Sequence, residues 1–278
     1  PLEYTSLLKE LILSLNDNSV MNIFVFDIET VPDTKNVRLL YNLDIESDRE
    51  VAEMMRERRK EKTNGSTFLP HHLQRIIAIS VALRSKSLFK IGSLGDINSD
   101  EPTLIEAFFK CIEKYAPILV SWNGSGFDLP VLHYRALLYG ISSPSYWNVG
   151  NDNDASFRWN NYLNRYHYRH SDLMDILAAY QGRANAPLTE IAVMLGLPGK
   201  LGMDGSQVWD YFLEGKLEAI RNYCEIDVLN TYLIYLRFEL MRGNFSFETY
   251  QKECTYARET IAQENKSHFE QFIKIWKI

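Results

Sequence analysis

The sequence predicts an α/β protein in which helices flank a mixed β-sheet. Apolar runs of strand length come first, between residues 21 and 122, and helical patterns dominate after residue 128. Strands followed by helices, with some alternation between them, are typical of a sheet covered by helices. The chain has 278 residues, of which 46% are hydrophobic and 24% charged, so it is long enough to form a large core.

Four apolar runs predict the strands of this sheet. Residues 21–28 are apolar on both alternating faces, as expected of a central strand that is covered on both sides. Residues 75–83 and 88–91 are separated by a short polar turn, and we expect them to form a hairpin. Residues 118–122 form a further buried strand.

Helical periodicity predicts the remaining elements. The predicted helices span residues 1–20, 44–62, 102–115, 128–139, 171–180, 187–195, 206–240 and 247–276. We divide the chain into an N-terminal helical extension at 1–20, a main domain at 21–243 and an extra C-terminal helix at 244–278. That last helix either faces the core or forms a dimer surface.

Charge and cysteine content exclude several classes of protein. The 30 Lys and Arg against 36 Asp and Glu give a formal net charge of -6, which is unlike a non-specific polyanion binder with its basic stripe. A nucleic-acid enzyme stays possible, because carboxylates that hold divalent cations also make a sequence acidic. Three widely spaced cysteines exclude a disulfide scaffold and indicate a reducing compartment, so we expect a cytoplasmic protein. No apolar run approaches the roughly 18 residues that span a bilayer, and we expect no membrane partner.

Two acidic residues lie close to the end of the first buried strand. Asp27 and Glu29 are two residues apart, so their side chains point the same way, roughly 6–7 Å apart along the strand. Two buried carboxylates raise each other's pKa unless a cation lies between them. The pair is therefore either a cation site or a solvated strand end.

A glycine-containing turn and a late helix carry further candidates. Residues 123–130 follow the second buried strand, and Asp128 either caps the next helix or joins a site at the carboxyl ends of the strands. Both roles are compatible. Tyr223 and Asp227 are four residues apart and share one helix face, which is also compatible with a simple hydrogen bond at the edge of the core.

These motifs occur in the order D-x-E, N-x3-F-D and Y-x3-D. Together they resemble the exonuclease motifs of the DEDD superfamily in its tyrosine branch, which has an RNase H-like fold. The resemblance is strongest to the stand-alone predicted 3′–5′ exonucleases related to the proofreading domain of family B DNA polymerases, and it covers about residues 22–240. The histidine branch would place His five residues before the last Asp, where this chain has Asn222. The main domain at 21–243 would then be the exonuclease domain.

The resemblance implies a role for each motif residue. The family's metal-binding acids are matched by Asp27, Glu29, Asp128 and Asp227, and its catalytic tyrosine is matched by Tyr223. The positions that border the terminal nucleotide are matched by Thr30, Asn123 and Phe127. The implied cofactors are two Mg²⁺ or Mn²⁺ ions, which activate a water and stabilise the leaving 3′ oxyanion so that a 5′-mononucleotide is released. Tyr223 would orient the water as a donor, since a tyrosine has a pKa near 10. For Asn123 and Phe127, turn closure and core packing remain alternatives.

We therefore expect a cytoplasmic, metal-dependent 3′–5′ exonuclease that acts on single-stranded DNA ends, with no polymerase domain in the chain. An exoribonuclease is the enzymatic alternative, because no motif reports on a 2′-hydroxyl contact. A nucleic-acid-binding module that has lost catalysis is the other alternative, although all five motif residues are present. Residues 144–170 interleave aromatic residues with arginines and form either a single-strand channel or a packed loop. The charged helix at 44–62 is either a solvated face or lies beside a phosphate backbone.

Overall fold

A computed structural model describes residues 22–45, 47–151 and 155–277, and at its centre is a five-stranded mixed sheet. The strands are β1 (Ile23–Pro32), β2 (Gln74–Arg84), β3 (Phe89–Ser93), β4 (Ile118–Ser121) and β5 (His170–Asp172). Their order is β3-β2-β1-β4-β5, with β1 antiparallel to β2 and parallel to β4. The predicted α/β class with a mixed sheet flanked by helices is confirmed. The helix predicted at 1–20 lies outside the described residues.

Helices surround the sheet. They are α1 (Thr34–Tyr41), α2 (Asp48–Lys62), α3 (Glu101–Tyr115), α4 (Asp128–Tyr139), α5 (Ala155–Arg158), α6 (Leu173–Leu177), α7 (Leu188–Met194), α8 (Val208–Leu213), α9 (Leu217–Met241), α10 (Phe247–Gln263) and α11 (Ser267–Ile275). Short 3-10 turns occupy His71–Leu73, Gly182–Ala184 and Gly205–Gln207. Within the described part of the chain, every helix is too short or too polar to cross a membrane.

Two long helices predicted from periodicity are each divided in two. The predicted helix at 206–240 is broken between α8 and α9, where Gly215 has a φ of 72°. The one predicted at 247–276 is broken between α10 and α11, where Asn265 has a φ of 52°. Glycine and asparagine tolerate the left-handed conformation, which allows the backbone to turn at these two positions. The apolar periodicity continues across each turn, and the pattern therefore predicted one unbroken helix. Helix α1 was not predicted, and the short strand β5 lies at the start of the helix predicted at 171–180.

Strand β1 is longer than predicted. It continues past residue 28 to Pro32, with an irregularity in its pairing with β2 between Glu29 and Thr30. The prediction that it ends at residue 28 is wrong, and Asp27 and Glu29 therefore lie within the strand. On its other side, β4 pairs with β1 only as far as Val25. On this side, the second half of β1 does not pair with β4, so the segment that follows β4 can contact its backbone.

The two faces of β1 belong to different cores. Phe24, Phe26 and Ile28 pack in a cluster with α3 and α4, whereas Val25 packs in a cluster with α9, α10 and α11. Because side chains alternate along a strand, burying Val25 against α9 also directs Asp27 and Glu29 toward that helix. The strand thus places two acidic residues at the edge of the second core.

The C-terminal helices α10 and α11 belong to this second core. Their buried apolar residues pack with α9 and include Ala257, Ile261, Phe269, Phe272 and Trp276. Of the two alternatives for the C-terminal segment, the core-facing one is observed. The division into an extension, a main domain and a C-terminal segment stays a prediction.

A buried arginine fixes helix α4 against the sheet. Arg135 is 3% exposed, and its guanidinium donates to Glu101 at the start of α3 and to Asp33 just after β1. The Nε atom lies 2.7 Å from Glu101 Oε1. Since a buried charge is stable only when it is paired and hydrogen-bonded, this cluster holds α4 in one position relative to the end of β1. The first residue of α4 is Asp128.

Candidate active site

Asp27 and Glu29 are brought together as predicted. One oxygen of each carboxylate and the Sγ of Cys224 on α9 all lie within 4.8 Å of one another. The thiol of Cys224 donates toward Asp27 Oδ2 over 3.4 Å. No motif had singled out Cys224, because a cysteine on an apolar helix face usually serves packing. The solvated strand end is ruled out for Glu29, whose side chain is buried.

Asp128 reaches the same region from the β4 side. Its Oδ1 accepts a hydrogen bond of 3.1 Å from the backbone N–H of Ile28, between the two acids of β1. This N–H is available because β4 no longer pairs with β1 at that point. The alternative that Asp128 caps its helix is wrong, since Phe127 occupies the N-cap position and no side-chain cap bond forms. The carboxylate of Asp128 is directed toward β1.

The turn between β4 and α4 explains how Asp128 is positioned. Asn123 has a φ of 66°, and the backbone N–H groups of Asn123 and Ser125 both donate to the carboxylate of Asp172 at 2.9 Å. A β-carbon at Gly124 would lie 2.3 Å from Ser121 Oγ, so only glycine fits there. Asn123 therefore closes a turn, and Asp172 at the end of β5 holds it. No chemical role had been predicted for Asp172.

Helix α9 supplies the last two motif residues. Tyr223 is buried, and its side chain is near enough to that of Asp227 to oppose the rise that burial causes in the pKa of Asp227. Burial raises the pKa of both carboxyls of β1, and the charge of Asp227 adds to this rise. The motifs of β1, α4 and α9 are thus close enough to act on one another.

Burial raises the pKa of all four carboxyls. It raises the pKa of Asp128 to about 7 and that of Asp227 to about 6. For Asp27, burial raises the pKa well above its usual value, and the charges of Asp128 and Glu29 raise it further. Shifts of this kind mark carboxylates that are desolvated beside like charges. Such a cluster is destabilising when ionised unless cations neutralise it.

A lysine that the sequence analysis left without a role faces this cluster. Burial raises the pKa of both Glu29 and Asp227, and the positive charge of Lys200 opposes this rise. The preceding residue Gly199 accepts a 2.9 Å hydrogen bond from the buried side chain of Asn230 on α9. Lys200 is therefore held near the acids by the helix that carries Asp227. It provides one positive charge for four carboxylates.

The donor set fits a hard divalent cation. Four carboxylates with no histidine among them are the ligands that Mg²⁺ and Mn²⁺ prefer. The Sγ of Cys224 is the one soft atom in the group. Asp27, Glu29, Asp128 and Asp227 are the residues that would hold such ions.

A cavity of about 570 Å³ opens beside Glu29. Its lining includes Thr30 and Phe127, two of the three residues expected to border a terminal nucleotide. The ring of Phe127 contacts the rings of Phe68 at 5.5 Å and His71 at 5.7 Å between centroids. Phe127 also packs against the core of α3 and α4. It therefore fills part of the core and lines the cavity at the same time.

The aromatic segment at 144–170 is divided between core and surface. Tyr146 and Tyr162 are buried and stack on each other with centroids 5.5 Å apart. Trp159, Tyr166 and Tyr168 are exposed. Tyr146 and Tyr162 therefore agree with the packed-loop alternative. The three exposed residues do not line the cavity beside Glu29.

Comparison with known proteins gives a family and two relatives. The model of a family described as predicted 3′–5′ exonucleases related to the exonuclease domain of PolB matches residues 66–276. A DNA polymerase of Archaeoglobus fulgidus is 30% identical over 143 residues, which cover 50% of this chain and 17% of the polymerase. The family B DNA polymerase structure of Pyrobaculum calidifontis aligns with a TM-score of 0.45 and 17% identity over 76% of this chain and 24% of the polymerase. The chain thus spans about a sixth of the length of the curated relative.

Proposed function

The chain belongs to the family of predicted 3′–5′ exonucleases related to the exonuclease domain of PolB, and on this basis we propose that it removes nucleotides one at a time from single-stranded DNA 3′ ends with two divalent metal ions. It is an exonuclease, a hydrolase of phosphodiester bonds, and its substrate is a nucleic acid. The single-stranded DNA end, the two ions and the residue roles are the proposal.

One observation supports this proposal above all others. The carboxylates of Asp27 and Glu29 lie together, that of Asp128 bonds to the strand between them, and burial raises the pKa of all three and of Asp227. A protein without bound cations would gain stability by replacing any one of them with a neutral residue. Retaining all four in a buried group is explained by ions that the acids hold for catalysis.

Each residue of the candidate site has its own role in the proposed reaction. When bound, the ions supply Lewis acidity to the phosphoryl group and neutralise charge on the attacking and leaving oxygens. Asp27, Glu29, Asp128 and Asp227 hold them and fix their positions. Tyr223 donates its hydroxyl proton in a hydrogen bond and orients the attacking water. Thr30 and Phe127 border the terminal nucleotide, and Lys200 attracts the phosphate.

Replacing Tyr223 by phenylalanine is expected to lower kcat about 10- to 100-fold. This is the size of the loss when one hydrogen bond to a charged group is removed, and the metal ligands remain. Burial, and then the charges of Asp227 and Glu29, raise the pKa of Tyr223 far above its usual value, so it stays protonated at working pH. Single-turnover rates from pH 6 to pH 9 should therefore give profiles of the same shape for both proteins.

Two outcomes would contradict a positioning role for Tyr223. One is a loss as large as that of an acid-to-alanine variant at the cluster. The other is the disappearance of a limb of the pH profile in Tyr223→Phe, which would indicate that the tyrosine acts as a general acid or base.

Matched DNA and RNA strands test the choice of substrate. We expect faster release of mononucleotides from single-stranded DNA than from RNA of the same sequence, because the curated relative is a DNA polymerase. The measurement is the ratio of kcat/KM for the two strands under single-hit conditions. A ratio that favours RNA would assign an exoribonuclease, and metal-dependent binding without release from either strand would indicate a binding module.

A cytoplasmic location is a further part of the proposal. Cys111, Cys224 and Cys254 are all buried free thiols, which fits a reducing compartment. Cell fractionation tests this location, and recovery of the protein in an oxidising compartment would contradict it.

A further inference from the structure

The outer wall of the cavity beside Glu29 is formed by residues that no motif includes. Arg56 on α2 and Phe68 in the loop after α2 lie on this wall, and Trp209 on α8 also lines the cavity. The family model begins at residue 66, so helix α2 lies outside the matched region. The two acids of β1 also precede residue 66, so α2 shares the unmatched part of the chain with residues of the site.

Arg56 brings an unneutralised positive charge to the cavity. Helix α2 packs against the protein through Val51, Ala52 and Met55, which are buried, and Arg56 follows them and is half-buried. Among the residues that the structure describes, Arg56 has neither an ion pair nor a hydrogen bond, although it lines the same cavity as Glu29. A cation in this position is suited to a phosphate group of a bound strand.

Phe68 presents an aromatic face that the fold holds in place. It is 56% exposed, yet its backbone oxygen accepts a 3.0 Å hydrogen bond from Arg59 Nε on α2. Its ring meets the ring of Phe127 edge-on at 5.5 Å. An exposed aromatic ring that is anchored at its backbone is preorganised for stacking, because little conformational freedom is lost on binding.

Trp209 carries a buried polar atom without a partner. The side chain is 5% exposed, and its Nε1 has no acceptor within the described ranges of the chain. Since Nε1 is closed off from the surface, the indole of Trp209 contributes to the wall of the cavity through its ring.

The two sides of the cavity are joined at the surface. Arg49 on α2 and Asp210 on α8 form an ion pair of 3.4 Å between exposed side chains. The cavity volume of about 570 Å³ falls within the range of pockets that hold single small molecules, about 300–1,000 Å³. The space thus fits a nucleotide unit of one strand.

We propose that Arg56 and Phe68 form a subsite that holds the 3′-terminal nucleotide for hydrolysis. The base stacks on Phe68, and a backbone phosphate contacts the guanidinium of Arg56, while Trp209 forms part of the wall. The subsite rests on the proposed exonuclease function and makes helix α2 part of substrate recognition. Stacking on one ring implies little preference among the four bases.

Arg56→Ala tests the phosphate contact through salt dependence. We expect KM to rise with kcat nearly unchanged, and the slope of log KM against log salt concentration to fall by about 0.7, the value for one phosphate contact of a single strand. Arg56→Lys should restore most of the slope. Arg58→Ala is the matched control, because Arg58 lies on the same helix, is exposed and packs over Tyr41 at 4.4 Å.

Phe68→Ala tests the stack with substrates that have or lack a terminal base. On a normal strand, KM should rise about fivefold to a hundredfold, which is the range for one base–aromatic stack. On a strand with an abasic 3′-terminal nucleotide, Phe68→Ala and the unmodified protein should have the same KM. Phe68→Trp should retain the stack.

The outcomes separate this proposal from the function on which it rests. If the unmodified protein releases no nucleotides, the exonuclease proposal fails. If it is active and Arg56→Ala keeps the salt slope, or Phe68→Ala has equal effects on normal and abasic ends, only the subsite is wrong.

Discussion

Asp227→Ala is expected to reduce nucleotide release about 10³-fold or more while the fold stays intact. The ions contribute several kcal/mol to transition-state stabilisation, and about 1.4 kcal/mol corresponds to a factor of ten in rate. Asp227 lies on α9 beside Tyr223, so its loss removes a proposed metal ligand and the partner of the tyrosine together. The measurement is the single-turnover rate with saturating Mg²⁺ on an end-labelled strand.

Controls distinguish a chemical role from unfolding. Asp27→Ala should lose activity to the same extent, because it removes a carboxylate from the opposite wall of the cluster. Glu218→Ala removes an exposed acid from the first turn of the same helix and should retain activity. Circular dichroism should show that all three variants are folded. Retention of most activity in Asp227→Ala or Asp27→Ala would contradict the assignment.

The metal-free protein is expected to lose stability as the pH rises from about 4 to about 8. Burial raises the pKa of Asp227 to about 6 and that of Asp128 to about 7, so the folded state binds more protons than the unfolded state between about pH 4 and these values. The stabilising contribution is therefore complete below the unfolded pKa near 4 and is lost as the pH rises through about 6 and about 7. For Asp227 alone the loss is on the order of 3 kcal/mol, because one pKa unit corresponds to about 1.4 kcal/mol.

Divalent ions should reverse this trend. Since they bind the ionised carboxylates of the folded protein, Mg²⁺ or Mn²⁺ should raise the melting temperature more at pH 8 than at pH 5. In Asp227→Asn, the metal-free protein should be more stable at pH 8 than the unmodified protein, and it should gain less from added ions. Urea unfolding with chelator and with Mg²⁺ at several pH values measures both effects. Metal-free stability that rises with pH over this range, without an effect of ions, would contradict the account.

The sequence was sufficient for the parts of the fold that depend on alternation and spacing. Asp27 and Glu29 were predicted to share a face because strand side chains alternate, and burial of Val25 against α9 produces that result. The breaks at Gly215 and Asn265 were missed because the apolar pattern continues across both turns. Helical periodicity reports which residues face the core, and it does not report where the backbone changes direction.

Contacts between distant segments could not be read from local patterns. Asp172 holds the turn before Asp128 from a different strand, and Cys224 contacts Asp27 from a helix almost 200 residues later in the chain. Arg56 and Phe68 line the cavity from a charged helix and the loop after it, and the composition of that helix left open whether it is a solvated face or lies beside a phosphate backbone. Such contacts depend on how α2, α8 and α9 pack around β1, which no single motif encodes.

A crystal structure of the protein with Mn²⁺, with the metal located from its anomalous scattering, tests the central claim most directly. The account predicts two peaks among the carboxylates of Asp27, Glu29, Asp128 and Asp227, about 3.5–4 Å apart as in other two-metal sites. Absence of both peaks at saturating Mn²⁺, or metal bound out of reach of Asp128 and Asp227, would show that the four acids do not form one catalytic metal centre.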